Sequence, residues 1–269
     1  MWMLFEPIHA PLYFAHQGRE VLSAAGLRGF WRGYFAARAA PLGPVSAAPV
    51  IATFYTFAPS MITRAIPEVW TMASPERVLA ARVEGAAAAL TELLTGVAPS
   101  QLAESVHLLE EAVAALDPAG RVLGAANAAL PPYEQPLARL WQAATTLREH
   151  RGDGHVAALV AAGIGPCEVL VLRAGIDLKR AHLQPARGWT DEEWAAAVER
   201  LHSRGFLDDN SRATTDGLDA FAAVEAATDV AAAAPWQALG AGAVKRLTEL
   251  LAPMAKACSA IYPEENLGR

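Results

Sequence analysis

The sequence predicts a mainly α protein of two winged-helix-like helical modules, each carrying a short β-wing hairpin. Three observations lead there. The 269-residue chain is 53% hydrophobic, and much of that fraction is alanine, a strong helix former. Helix-start signals recur, as in Ser74-Pro75-Glu76 and Thr190-Asp191-Glu192-Glu193. Finally, Arg204-Gly205 through Asp216-Gly217 reads as a helix end, a tight hairpin across Asp208–Ser211 and a new helix after Thr215. Penultimate helix, wing and long helix succeed one another in that order in a winged helix.

Along the chain, residues 8–40 read as helical, with Gly26 and Gly29 as interruptions, until Pro41-Leu42-Gly43-Pro44 breaks the pattern. A new helix starts at Ser46-Ala47-Ala48-Pro49, and Pro59 and Pro67 punctuate the stretch up to Ser74. Further helices are expected from Ser74 to about Thr95 and over roughly 100–116, with loops at Asp117–Gly120 and Pro131-Pro132. A soft boundary there divides the chain into modules 1–130 and 131–269. The second half opens with a helix over 136–149, then a charged run, then a helix to about Ala162. Glu168–Ala174 fits a helix or a short strand, 175–188 a loop with a hairpin, and 237–257 a helical tail. Trp70 before Ser74-Pro75-Glu76 is similar to Trp189 before Thr190-Asp191-Glu192, which suggests a weak internal repeat with a site between the halves.

Composition excludes several function classes. The net charge of −6 gives no global positive field for nucleic acid. Cys167 and Cys258 lie far apart, with neither metal spacing nor a disulfide framework, as expected in a reducing cytoplasm. The start Met1-Trp2-Met3-Leu4-Phe5-Glu6-Pro7 is too short and too soon acidic for a signal peptide, and no run of 18 apolar residues suggests a membrane span. A cytoplasmic location is therefore expected, and the long apolar helices permit a homodimer.

The densest chemistry lies in Arg148-Glu149-His150-Arg151-Gly152-Asp153-Gly154-His155, where the two glycines are expected to free the backbone. An Asp153 or Glu149 contact to His150 or His155 would orient an imidazole as a general acid or base. Arg148 or Arg151 could hold a carboxylate bidentately. The competing reading makes Asp153 the N-cap of a helix starting near Gly154 beside a buried ion pair. Tyr34 and Arg38, four apart on a helix face, together with Tyr55, would suit an anionic or aromatic ligand. His9 and His16 are seven apart, about two turns on one face, and His16 is flanked by Tyr13 and Arg19. Either could be an axial haem ligand, but no haem-attachment motif occurs, and no cofactor is identified. No metal motif, phosphate loop, dinucleotide fingerprint or nucleophile elbow is found, beyond the partial set His150, Asp153 and His155.

Four stretches together resemble the SalK-like family of actinobacterial proteins, usually labelled only as helix-turn-helix. They are Gly29–Gly43, the run 147–159, Arg187-Gly188-Trp189-Thr190-Asp191-Glu192-Glu193-Trp194, and Glu225–Asp229. Some members occur near specialised-metabolite genes, so the resemblance implies contact with a small molecule. Members often carry a histidine after the Tyr55 region where this chain has Ala58, so any role of that histidine is not carried over. More loosely, 189–225 is similar to the wing half of MarR-type regulators.

A DNA-binding regulator is the obvious alternative, with the 190–200 helix in the major groove. Yet its first turn holds Asp191, Glu192 and Glu193 and no base, and the wing sets Asp208 and Asp209 against Arg212. Such a surface repels phosphates. The sequence thus favours a small organic ligand, anionic or aromatic, between the modules. Tyr34, Arg38, Glu149, His150, Arg151, Asp153 and His155 would line the pocket, and a histidine would act as base. A non-catalytic interaction protein is the third reading.

Overall fold

The computed structural model describes residues 1–262, which form seventeen α-helices and one short 3-10 turn at Ala40–Leu42. The first ten α-helices are α1 Trp2–His9, α2 Pro11–Phe14, α3 His16–Ala24, α4 Phe30–Ala39, α5 Ala47–Thr53, α6 Pro59–Thr63, α7 Val69–Met72, α8 Pro75–Leu93, α9 Pro99–Ala114 and α10 Val122–Ala128. Then come α11 Pro136–Ala161, α12 Pro166–Ile176, α13 Arg180–Arg187, α14 Asp191–Ser203, α15 Thr215–Ala231, α16 Ala234–Leu239 and α17 Ala241–Ser259. None is long and apolar enough to cross a membrane alone.

The capping signals act as the sequence predicts. Ser74 accepts from the Arg77 N–H at 3.4 Å, and Thr190 and Glu193 cap each other reciprocally at 3.1 and 2.9 Å. Gly188 and Gly205, at φ 75° and 74°, take the left-handed backbone that lets α13 and α14 stop.

Burial sorts the chain into two apolar clusters. The larger draws on α1, α4, α8, α9, the first half of α11 and α17, around Phe5, Phe35, Leu90, Leu109 and Trp141. The smaller gathers Leu159, Leu170, Leu172, Trp194, Leu201, Leu207 and Val224 from the end of α11 through α15. The boundary expected at 130/131 falls just before α11, which belongs to both clusters.

Four expectations are corrected. The first concerns the β-wing hairpins: no strand occurs among the described residues, and 207–213 is closed by a single antiparallel bridge between Leu207 and Ala213. The Asp208 carboxylate takes the N–H groups of Asn210 and Arg212 at 2.9 and 2.8 Å, so the side chain closes a loop where a ladder would need those donors. Second, 8–40 is not one interrupted helix. The chain breaks at Ala10, before Pro11, and at Ala15, whose ψ of 150° is extended, so His9 and His16 share no face. Third, 136–161 is one helix running through Gly152 and Gly154, and Asp153 starts nothing. Gly154 serves approach here: a Cβ on it would sit 2.0 Å from Arg121 Nη1. Fourth, most of 175–188 is the helix α13, and α13, the turn 188–190 and α14 form a helix-turn-helix.

Close packing elsewhere also rests on glycine. A Cβ on Gly85 of α8 would lie 2.8 Å from the Gly18 Cα of α3. Gly85→Ala should gain about 1 kcal/mol of helix propensity. It should lose more, in total about 1–3 kcal/mol net, by forcing α3 off α8. Urea denaturation checks this, and a variant as stable as the parent would contradict the close approach.

Candidate functional site

At the centre of α11 lies a chain of buried charges. Arg38, one turn after Tyr34 on α4, holds Glu149 in a two-pronged contact, Nε to Oε1 at 2.8 Å and Nη2 to Oε2 at 3.0 Å. Arg148 donates to the same carboxylate at 3.0 Å and to Glu6 of α1 at 3.2 Å. Glu149 is 1% exposed. Burial pushes its carboxyl up, but the Arg148 and Arg38 guanidiniums overcome this and hold it well below the usual carboxylate range. Glu149 is therefore a fixed anion that orients two cations, and not a proton acceptor.

Beside this chain a cleft of about 470 Å³ opens between the larger cluster and the helix-turn-helix. Five arginines line it: Arg38, Arg148, Arg151, Arg173 and Arg187. Its apolar walls include Trp2, Phe54, Tyr55, Phe57 and Phe221. Arg151 pairs with Glu225 at 3.1 Å and Asp229 at 3.4 Å, and Arg173 with Asp177. No carboxylate pairs with Arg187 among the described residues. Its Nη1 donates only to the Ala186 carbonyl, its Nε is buried without a partner, and its guanidinium lies 4.7 Å from the Phe57 ring centre. Burial, with Arg38 and Arg148 nearby, disfavours its charge.

The structure brings most of the sequence-predicted residues to this cleft, and turns the others away. Tyr34, Arg38, Tyr55, Arg148, Arg151 and His155 line it, with Glu149 directly behind. The Tyr34 hydroxyl is 3.5 Å from Arg38 Nη1, and the Tyr55 hydroxyl donates to the Ile164 carbonyl at 2.7 Å. His155 Nδ1 meets Thr228 Oγ1 at 3.0 Å, and that hydroxyl gives its proton to the Val224 carbonyl. Nδ1 is then the protonated nitrogen, which leaves Nε2 as the acceptor. Burial lowers the His155 pKa and keeps the ring neutral.

His150 and Asp153 face α10 instead. His150 Nε2 donates to the Asp117 carbonyl at 3.3 Å, and Asp153 Oδ2 accepts from the Gly124 N–H at 2.8 Å. Asp153 thus caps the first turn of a neighbouring helix. The partial metal set is not assembled, because His150 and His155 serve different neighbours. His16 is exposed at the start of α3, in a separate pocket with Tyr13, Arg19 and Tyr34. His9 is buried, stacked on Trp141, with Nδ1 2.9 Å from Thr145 Oγ1.

Several cleft residues went unrecognised in the sequence: Arg187, Arg173, Glu225, Phe57 and Trp2. The signal for Arg187 was its place beside Gly188-Trp189, which form the turn of the helix-turn-helix. That turn docks onto the loop between α5 and α6. The Ala58 N–H donates to the Arg187 carbonyl at 2.8 Å, and Trp189 Nε1 donates to the Thr56 carbonyl at 2.9 Å.

Residues 1–262 match the model of a helix-turn-helix family, and the chain belongs to that family. No curated protein and no solved structure matches it.

The buried charges have two measurable consequences. Glu149→Gln leaves Arg38 buried without its counter-charge and Arg148 with Glu6 alone, and should cost about 3–5 kcal/mol in chemical denaturation; a loss below about 1 kcal/mol would contradict the pairing. Burial pushes Asp153 up to about 6 from 3.8. Between those pH values the native chain binds a proton that the unfolded chain has released, so this group costs stability as pH rises, fully above about 6. Asp153→Asn keeps an acceptor for Gly124. It should therefore stabilise by up to about 3 kcal/mol at neutral pH, with the gain vanishing near the unfolded value of 3.8. Thermal melts of both proteins across that range measure it.

Proposed function

We propose that this member of the helix-turn-helix family binds a small organic anion in the cleft between its larger body and the helix-turn-helix. One observation carries this: five arginines line one cavity, and Arg187 among them has no carboxylate partner. A guanidinium costs free energy to bury unpaired, and an anionic ligand supplies the missing partner. The aromatic walls suit a planar apolar portion. The narrower resemblance of 29–43 and 147–159 to SalK-like proteins points the same way, to a small molecule of specialised metabolism. Should the site carry out acid–base chemistry, His155 is the group placed for it, through Nε2. Glu149 is too strongly held as an anion, and His150 and Asp153 face α10.

The family description favours a second reading, a ligand-responsive DNA-binding regulator. Its charge pattern is poor: residues 177–214 carry six Lys and Arg against seven Asp and Glu. Asp191, Glu192 and Glu193 occupy the exposed first turn of α14, and the preceding turn is held against Thr56–Ala58. Phosphates meet repulsion there.

Titration calorimetry with a panel of organic carboxylates and phosphates tests the primary reading. Binding should weaken as salt is raised. Arg151→Gln should weaken it by about tenfold, or about 1.4 kcal/mol, for ligands large enough to span the cleft. Absence of binding across the panel would sink the reading. A salt-sensitive gel shift with the promoter region of its own gene would establish the regulator instead.

A further inference from the structure

The cleft joins a second chamber of about 220 Å³, with Tyr34, Phe57, Arg148 and Arg187 lining both. Its chemistry differs from that of the cleft. Tyr13, Phe14, Phe30, Trp31 and Phe57 give it aromatic walls, and His9 also lines it. Drug-sized sites begin at roughly 300 Å³. The chamber therefore suits one ring system, with the remainder of a ligand in the cleft.

Polar groups at the chamber are left with capacity for a ligand. Arg187 Nε is buried without a partner. The Tyr34 hydroxyl receives a long contact from Arg38 and has no acceptor for its own proton among the described residues. His9 uses Nδ1 on Thr145, and its Nε2 has no hydrogen-bond partner among the described residues. Arg82 also has a buried unpartnered Nε, but its other nitrogens are taken by Ala37, Asn127 and Gln142 and it lines neither chamber. The charge at the neck is positive in excess: Arg38, Arg148 and Arg187 face Glu149 and Glu6.

We propose that this chamber is the recognition subsite of the cleft and that it takes an aromatic carboxylate, its ring among the aromatic walls and its carboxylate on Arg187 and Tyr34. The proposal rests on the reading that the cleft binds an organic anion. A guanidinium fork matches a carboxylate in plane and charge, and the low dielectric of the surrounding rings strengthens that contact. Aromatic cations are rejected by the three guanidiniums, and small aliphatic acids leave the ring space unfilled. Burial keeps His9 neutral, so its Nε2 can exchange a hydrogen bond with a ring substituent.

Titration calorimetry with benzoate, acetate, benzyl alcohol and citrate tests it on the full chain. Benzoate should bind, with acetate and benzyl alcohol each at least about tenfold weaker. Arg187→Gln should weaken benzoate by about tenfold or more. Arg187→Lys, which keeps the charge and loses the fork, should weaken it by about fivefold. Arg246→Gln, which lines neither cavity and pairs with Glu104 at the surface, should change it less than about twofold. Circular dichroism confirms that each variant is folded, and Arg187→Lys stands in where Arg187→Gln is not. Acetate binding as tightly as benzoate, or benzoate indifferent to both Arg187 variants, overturns the subsite and leaves the anion reading intact. Citrate binding without benzoate binding does the same. Binding of none of the anions overturns both.

Discussion

Glu149 is a carboxylate 1% exposed between two guanidiniums, and the architecture around the cleft depends on it. It lies on α11, Arg38 on α4, and Glu6 on α1, reached through Arg148. Three helices far apart in sequence are thus tied at one point by contacts that tolerate little displacement. Such networks are a poor source of stability, since well-packed apolar residues of equal volume often do as well or better. What this one provides is placement: Arg38 and Arg148 are held at a cavity wall, with their side-chain freedom removed before any ligand arrives.

Helix α11 then sets where that wall stands. Its first half packs into the larger cluster through Leu140, Trp141 and Leu147, and its end enters the smaller one through Leu159. The polar run 148–155 falls between, so successive residues are handed to different neighbours. Arg148, Arg151 and His155 go to the cleft, and His150 and Asp153 to α10. Gly124 and Gly154 permit this on the α10 side. A Cβ on Gly124 would be 2.7 Å from the His150 Cα, so α10 could not lie where Asp153 caps it.

The sequence made the helical class, the capped starts at Ser74 and Thr190, and the end at Gly205 legible, because each depends on residues a few positions apart. It also drew attention to 147–155. It misled where glycine serves packing: Gly152 and Gly154 look like a break, yet tertiary contacts override their low propensity and the helix continues. The wing failed for a local reason, since Asp208 takes the donors that a ladder would use. Arg187 and Glu225 stand in stretches the sequence singles out, but their roles are not legible there, because they come from Phe57 and Arg151, residues over seventy positions away.

The helix-turn-helix illustrates how shape and use separate. Its turn, which leads into the helix that a regulator lays in the major groove, is here bound to the body of the protein, through the Ala58 N–H and through Trp189 on the Thr56 carbonyl. Phe57 lies between Thr56 and Ala58 in sequence and beneath the Arg187 guanidinium in space. The docking contacts therefore adjoin two of the residues at the neck of the chamber, Phe57 and Arg187. On the proposed reading, a ligand at Arg187 and Phe57 touches both partners of the docking contact at once. It must then favour the docked arrangement over any in which the turn is released, by as much as its contacts differ between the two.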